Sequence, residues 1–370
     1  MKHEKILFPP CPAAAAELSG NALVLDLLTE GRFWRTSRIT GFFLLYKEAG
    51  HIVEESFTPE KESDEYDLLL EAAKRLDGSG ALITYNGDSF DLPHLRKKYA
   101  AYGLPIPFDR RTSLDLFKTL KPLADVFALP SRKLADFTAF LTQAGALVDA
   151  AGAGKAETAS SEKSPDGCPD AYVSAGLPSP APSAISPDAF FLENAARQTL
   201  ACLAFLPVLR FLEGGFSAAA VRYAGGSSLD IALSPRSALP FPFTLSMDGL
   251  TLTAKAGALF EAVDVTAEGV SPESPLSPPA KAADAKLTLP VKNGFVHRYF
   301  PDYKNYEYLP AEGYAIHKSV SAYVAASRKE PATLETCFVL VPAEKLLKDP
   351  EAAKAVAKSA LEKLCSRHKK

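Results

Sequence analysis

The residues of this sequence best suited to chemistry are aspartates in two separate places. Asp26 lies near the end of an apolar run, ALVLDLL (22–28), where a carboxylate has to be capped, paired or metal-bound. Asp91 falls within TYNGDSFDLPHLRKKY, from Thr84 to Tyr99. There a strand pattern runs into the turn signal Asn86-Gly87, and Phe90 and Leu95 anchor a helix. Asp91 then sits in the first helical turn and could meet Asp26 at one edge of a sheet. Two such carboxylates can hold divalent metal ions, which in phosphodiester cleavage activate water and stabilise the leaving oxygen. The simpler reading of Asp26 alone is a cap. Asp88 and Asp115 lie close by in the pattern; each could rebuild a metal site, or serve as a turn cap (Asp88) and a strand-end partner (Asp115).

The elements that would position these acids can be read along the chain. Strand patterns occupy 22–28, 38–47 and 51–57, the last two joined by a turn at Glu48-Ala49-Gly50. A helix is expected over 64–77, with Ser63 as N-cap, acids in its first turn and Gly78 at its end. A strand at 81–85 follows, then helices at 90–101 and 131–142 with a short strand near 111–115. That order predicts an α/β fold, a mixed sheet covered by helices. One long helical pattern runs from Pro187 to Leu212. After Gly215 the pattern is β-rich, with an Asp248-Gly249 hairpin signal inside 242–265, aromatic strands over 287–310 and helical spacing from Val341 onward. The stretch from Asp149 to Ser186 is mostly Ala, Gly, Ser and Pro, and reads as a disordered insertion; 267–283 is a second Pro/Ser-rich loop. Two units are expected: 20–213, interrupted by that insertion, and a β-rich extension over 216–370 ending in a helix.

Composition narrows the class. Of 370 residues, 47% are apolar and 23% charged, with a net charge of −3. This excludes a polybasic histone-like chain and an acidic disordered tail, but not a local basic groove. Five cysteines, with no CxxC pair, argue against a disulfide framework or a cysteine zinc site, and for a reduced, cytoplasmic protein. Pro9, Pro10 and Pro12 break up the start of the chain, which makes a poor signal peptide. The apolar run Leu200–Leu209 contains Pro207 and falls short of the roughly 20 residues that span a bilayer, so no membrane partner is expected.

YNGDSFDLPHL (85–95) resembles the second motif of DnaQ-like exonucleases, in the YprB-type ribonuclease H-like family of the DEDD superfamily. SLDLFKTL (113–120) and LPSRKLADFTAFL (129–141) follow in the family's order, and YFPDYKNYEYLPAEGYAIHKSVSAYV, from Tyr299 to Val324, resembles the aromatic segment of its long bacterial members. The resemblance implies a ribonuclease H-like sheet, four metal-binding acids with Mg²⁺ or Mn²⁺, cutting of nucleic acid from a 3′ end, and a place in DNA repair beside a helicase. It carries over incompletely. The family's Asp-x-Glu reads Asp26-Leu27-Leu28 here. Its His-x-x-x-Asp fits without gaps only at Asn194 and Gln198, and none of the six histidines lies near them. Glu30 is displaced by two residues in a turn. Leucine cannot ligate a metal, and a glutamine carbonyl ligates weakly without balancing charge. A missing general base costs roughly 10²- to 10⁴-fold. The expectation is a degenerate 3′→5′ exonuclease-like protein that binds nucleic acid and cuts weakly or not at all. The alternatives are an active exonuclease using Asp26, Asp91 and a shifted acid, and a protein-interaction domain.

Two stretches could contact nucleic acid. The segment 295–323 interleaves aromatics with bases, and Lys304, His317 and Lys318 are its main candidates. Arg96, Lys97 and Lys98 follow Asp91 along the same helix. Packing of a β-rich core explains the first equally, and a solvated helix face the second. The lone Trp34 lies beyond the first motif, where a base or sugar could sit or where it simply packs. The basic C-terminal helix reads as an amphipathic surface helix or a phosphate contact.

Overall fold

Alternation along the second strand decides the architecture. Leu23, Leu25 and Leu27 are buried on one side of a sheet, while Val24, Asp26 and Leu28 point to the other. The computed structural model describes residues 2–8, 18, 21–49, 51–61, 64–78, 80–144, 194–256, 284–300 and 302–366. The expected disordered insertion, the loop 267–283, the Ser63 cap, Cys11, Cys168 and His368 lie outside them.

Six strands form the first sheet: β1 (Lys2–Phe8), β2 (Leu23–Thr29), β3 (Ile39–Glu48), β4 (His51–Thr58), β5 (Gly80–Thr84) and β6 (Arg111–Asp115). Their order is β1-β4-β3-β2-β5-β6. The first four pair antiparallel, and β5 and β6 continue the sheet in parallel from β2. The helices α1 (Glu65–Leu76) and α2 (Asp91–Ala101) bury Leu68, Leu69, Leu92, Leu95 and Tyr99 against the Leu23/Leu25/Leu27 face. The opposite face takes α3 (Leu116–Thr119), α4 (Lys121–Val126), α5 (Leu134–Gln143), α6 (Ala195–Cys202) and α7 (Phe205–Leu212). This is the ribonuclease H-like mixed sheet that the sequence predicts.

Two elements of the first half of the chain differ from expectation. The N-terminal residues form edge strand β1, held by its pairing with β4 from Lys2↔Thr58 to Phe8↔Ile52. The single long helix is two. Leu203 and Ala204 donate to carbonyls only three residues back, and Pro207 falls in the first turn of α7, where no backbone donor is needed. The stretch Ala195–Leu212 is long and apolar enough by length and composition to cross a membrane, but 78% of it is buried inside the protein. Its apolar side chains face the core.

The second sheet is antiparallel, in the order β7-β8-β11-β10-β9, from β7 (Phe216–Tyr223), β8 (Ser228–Pro235), β9 (Phe243–Met247), β10 (Leu250–Ala254) and β11 (Ala285–Pro290). The β9–β10 hairpin turns at Asp248 (φ 52°) and Gly249 (φ 80°), the left-handed pair that its sequence signal demands. Two small sheets follow, β12 (Phe295–Tyr299) with β16 (Phe338–Pro342), and β13 (Tyr306–Leu309) between β14 (Tyr314–His317) and β15 (Glu330–Pro331). The helices α8 (Lys318–Ser321), α9 (Ala343–Lys348) and α10 (Pro350–Cys365) complete the chain. The helix α10, expected at the surface, instead buries Ala353, Val356, Ala357, Ala360, Leu361 and Leu364. Its Lys363 is buried, 3.0 Å from Asp248 Oδ2 and 4.3 Å from the centre of the Tyr299 ring. One apolar cluster runs from Phe8 through α5–α7 and the second sheet to Leu364.

A buried ion pair fixes α6 to the first sheet. Arg197 Nε donates to Glu54 Oε2 at 2.5 Å, and its guanidinium lies 4.6 Å from the Phe8 ring centre. Breaking such a pair leaves an uncompensated buried charge. Glu54→Ala or Arg197→Ala is therefore expected to cost about 3–5 kcal/mol in urea unfolding, and Glu54→Leu with Arg197→Met to recover most of that loss.

Candidate acid site at the sheet edge

The turn between β5 and α2 is set by its own residues. Asn86 adopts φ 65°, and its carbonyl accepts from Ser89 N and Phe90 N. Gly87 packs so tightly on Thr84 that a Cβ there would collide with the Thr84 side chain. The turn delivers Asp91 to the first position of α2, buried at 7% exposure. Asp26 reaches the same edge from β2. The structure thus brings Asp26 and Asp91 together, close enough that the charge of Asp26 disfavours ionisation of Asp91.

Among the described residues, neither carboxyl has a hydrogen-bonding or cationic side-chain partner. Burial pushes Asp26 up to about 7. Burial first, then the charges of Asp26 and Asp115, pushes Asp91 up to about 8. An unfolded aspartate titrates near 4, so the folded protein holds extra protons between that pH and about 8. Stability should therefore fall as pH rises through this window. Asp91→Asn removes the cost: the melting temperature is expected to rise by about 2 °C or more near pH 9 and to stay unchanged near pH 4, read by thermal unfolding.

The other acids are engaged elsewhere. Asp115 is 4% exposed; its Oδ1 accepts from Asn86 N (2.8 Å) and Phe117 N (3.0 Å), while its Oδ2 is buried without a partner. It caps α3 and ties the Asp91 turn to β6. Asp88 faces outward, accepting from Lys118 (2.7 Å) and Ser113 (2.5 Å), and the Lys118 bond, with that of Ser113, holds its carboxyl below the usual range. Glu30 forms a two-pronged pair with Arg38 and does not reach the acids. Leu28 is 38% exposed on the Asp26 face.

Asn194 is the N-cap of α6. Its Oδ1 accepts from Arg197 N (2.9 Å), and its Nδ2 donates to Glu54 (3.3 Å). It is thus bound to α6 and β4. Gln198 follows one turn later, partly buried. Among the described residues no group of three acid, histidine or cysteine side chains is placed to hold a metal ion. His94, three residues beyond Asp91, is buried against Phe90, its Nε2 has no partner, and burial with Lys98 and Lys97 nearby lowers its pKa.

The predicted binding residues divide. Lys98 is corrected: it is 7% exposed and pairs with Glu65 at 2.8 Å, so it faces the interior. That Glu65 also accepts from Ile39 N and Tyr102. Arg96 is exposed, bound to Asp109 at 3.0 Å and 5.0 Å from the Phe108 ring centre. Lys97 is exposed. Lys304 and Lys318 are exposed on the second half of the chain, and His317 caps α8 by accepting from Ser319 N. Sequence reasoning missed the Glu54–Arg197–Asn194 network, because Glu54 lies about 140 positions before the other two and only the fold brings them together.

Residues 23–153 match the family model of the RNase H superfamily. This part of the chain is a ribonuclease H-like domain. The chain matches no curated protein. Over 93% of its length it aligns distantly with solved structures of exonuclease I. One is the complex of exonuclease I with SSB-Ct (12% identity, 70% of that chain, TM-score 0.30). Others are the apo form (13%, 69%, 0.30) and the zinc-ion-bound E. coli complex with single-stranded DNA (12%, 69%, 0.28).

Proposed function

We propose that this protein is a degenerate 3′→5′ exonuclease-like protein that binds nucleic acid and cuts it weakly or not at all. The observation that carries this reading is the isolation of Asp26 and Asp91. Among the described residues no three acids are grouped to hold a metal, and Leu28 stands exposed beside the pair where the family resemblance calls for a glutamate. Asn194, at the place of the family's histidine, is committed to capping α6 and to Glu54. The donor set fits a pair of Mg²⁺ or Mn²⁺ ions poorly: water can complete the coordination shells, but two carboxylates offset only two of the four positive charges.

A second reading, an active exonuclease with an altered metal site, draws on one observation. Asp115 Oδ2 is buried without a partner near Asp91. The family resemblance supports a role in DNA repair beside a helicase, with nucleic acid as the main partner, and the scattered cysteines without a CxxC pair support a cytoplasmic place.

End-labelled single- and double-stranded DNA and RNA, incubated with Mg²⁺ and then Mn²⁺, separate the readings. The native protein and an identically purified Asp26→Ala/Asp91→Ala variant are expected to release nucleotides equally little. Both are expected to retain binding that weakens steeply with salt. Release by the native protein alone would sink the degenerate reading.

A further inference from the structure

The β2–β3 loop is a rigid, outward-facing aromatic and cationic projection beside the acid site. Glu30 N donates to Arg38 O at 3.0 Å, Ser37 N and Thr36 N donate to Phe33 O at 2.8 and 3.0 Å, and the Glu30–Arg38 side-chain pair clamps the loop's base. Gly31 packs against the buried Ser37, so the loop closes on itself. Such a closed loop loses little freedom on binding. Its tip carries Phe33, 78% exposed, and Trp34. The Arg35 guanidinium lies 5.3 Å from the centre of the Trp34 ring. Lys97 Nζ, from α2, lies 5.7 Å from the same ring.

The loop continues the strand that carries Asp26, and Lys97 lies on the helix that starts with Asp91. The chain from Asp26 to the loop's start spans about 13 Å, and the helix from Asp91 to Lys97 about 9 Å. Those lengths are on the scale of two or three nucleotides. Neither cation has a carboxylate partner among the described residues, in contrast to Arg96 and Lys98 beside them. Buried packing does not account for the cluster: Phe33, Arg35 and Lys97 are exposed, and Trp34, half-buried, belongs to neither apolar core.

We propose that Phe33, Trp34, Arg35 and Lys97 form a binding surface for single-stranded nucleic acid leading away from the acid site, the rings stacking bases and the cations meeting phosphates. Stacking on exposed rings is tolerant of sequence, and cations alongside it make binding sensitive to salt. This rests on the nucleic-acid-binding reading above and adds where the strand lies.

Trp34 is the only tryptophan of the chain, so its emission reports directly on the site. The full-length protein is titrated with fluorescein-labelled single-stranded DNA and RNA of about 20 nucleotides. Anisotropy reads total binding, and unlabelled oligonucleotide is used to follow Trp34 emission. Saturable quenching is expected at the same concentration as the anisotropy change. Trp34→Ala is expected to weaken binding about 5- to 100-fold, the loss of one stacked base, and Trp34→Phe to restore most of it. Lys97→Ala should flatten the log–log salt dependence by about 0.7. All four side chains are outside the apolar cores, and an unchanged melting curve for each variant excludes misfolding as the cause. Binding seen by anisotropy with unchanged Trp34 emission, and unchanged affinity in Trp34→Ala, would overturn this inference and leave the broader reading standing. No binding of any oligonucleotide at low salt would overturn both.

Discussion

One carboxylate oxygen holds the acid site in place. Asp115 Oδ1 accepts from Asn86 N, in the turn that precedes Asp91, and from Phe117 N, at the start of α3. The parallel strands β5 and β6 end side by side, and this oxygen ties the turn after β5 to the helix after β6. Backbone donors at a strand end have no ladder partner and must find another acceptor. A single buried acid meets that need on both sides. The Asp91 turn, with its left-handed Asn86 and its close Gly87–Thr84 contact, therefore has one permitted path.

The site's electrostatics follow from where the sheet puts its charges. Two cations of α2 are engaged away from the acid pair: Lys98 is drawn inward by Glu65, and Arg96 is held by Asp109. On the covered face, Glu54 holds Arg197. Asp26 is left with burial, and Asp91 with burial and the charges of Asp26 and Asp115, all of which favour the protonated state.

Much of this was legible in the sequence. The strand β2, the end of α1 before Gly78, the Asn86-Gly87 turn and the Asp248-Gly249 hairpin are local patterns, and each appears within a few residues of its expected place. The convergence of Asp26 and Asp91 was also legible, because a strand end and a helix start were both readable. What escaped were consequences of distant pairing. Edge strand β1 exists only because β4 offers it a partner. The inward turn of Lys98 requires Glu65, thirty-three positions earlier in the chain. The same holds for α10, whose basic spacing suggested a surface: its small residues, Ala353, Ala357 and Ala360, are what let it approach the rest of the core closely. Charge content alone could not separate these cases.

The place of α10 in the core also bears on how the molecule is made. The Phe127, Phe205, Phe241 and Phe243 rings meet one another across the two halves of the chain, and α10 contacts α4, α7 and strands of the second sheet. During synthesis, the helices on the Asp26 face emerge about 140 to 230 residues before α10 does. Until then their apolar sides have only part of their cover, and contacts over so long a separation close slowly. The ribonuclease H-like sheet can pair early, but its second face must wait on the ribosome. A newly made chain thus passes through a stage with a formed sheet and an open aromatic seam, the stage at which chaperones and aggregation compete for it.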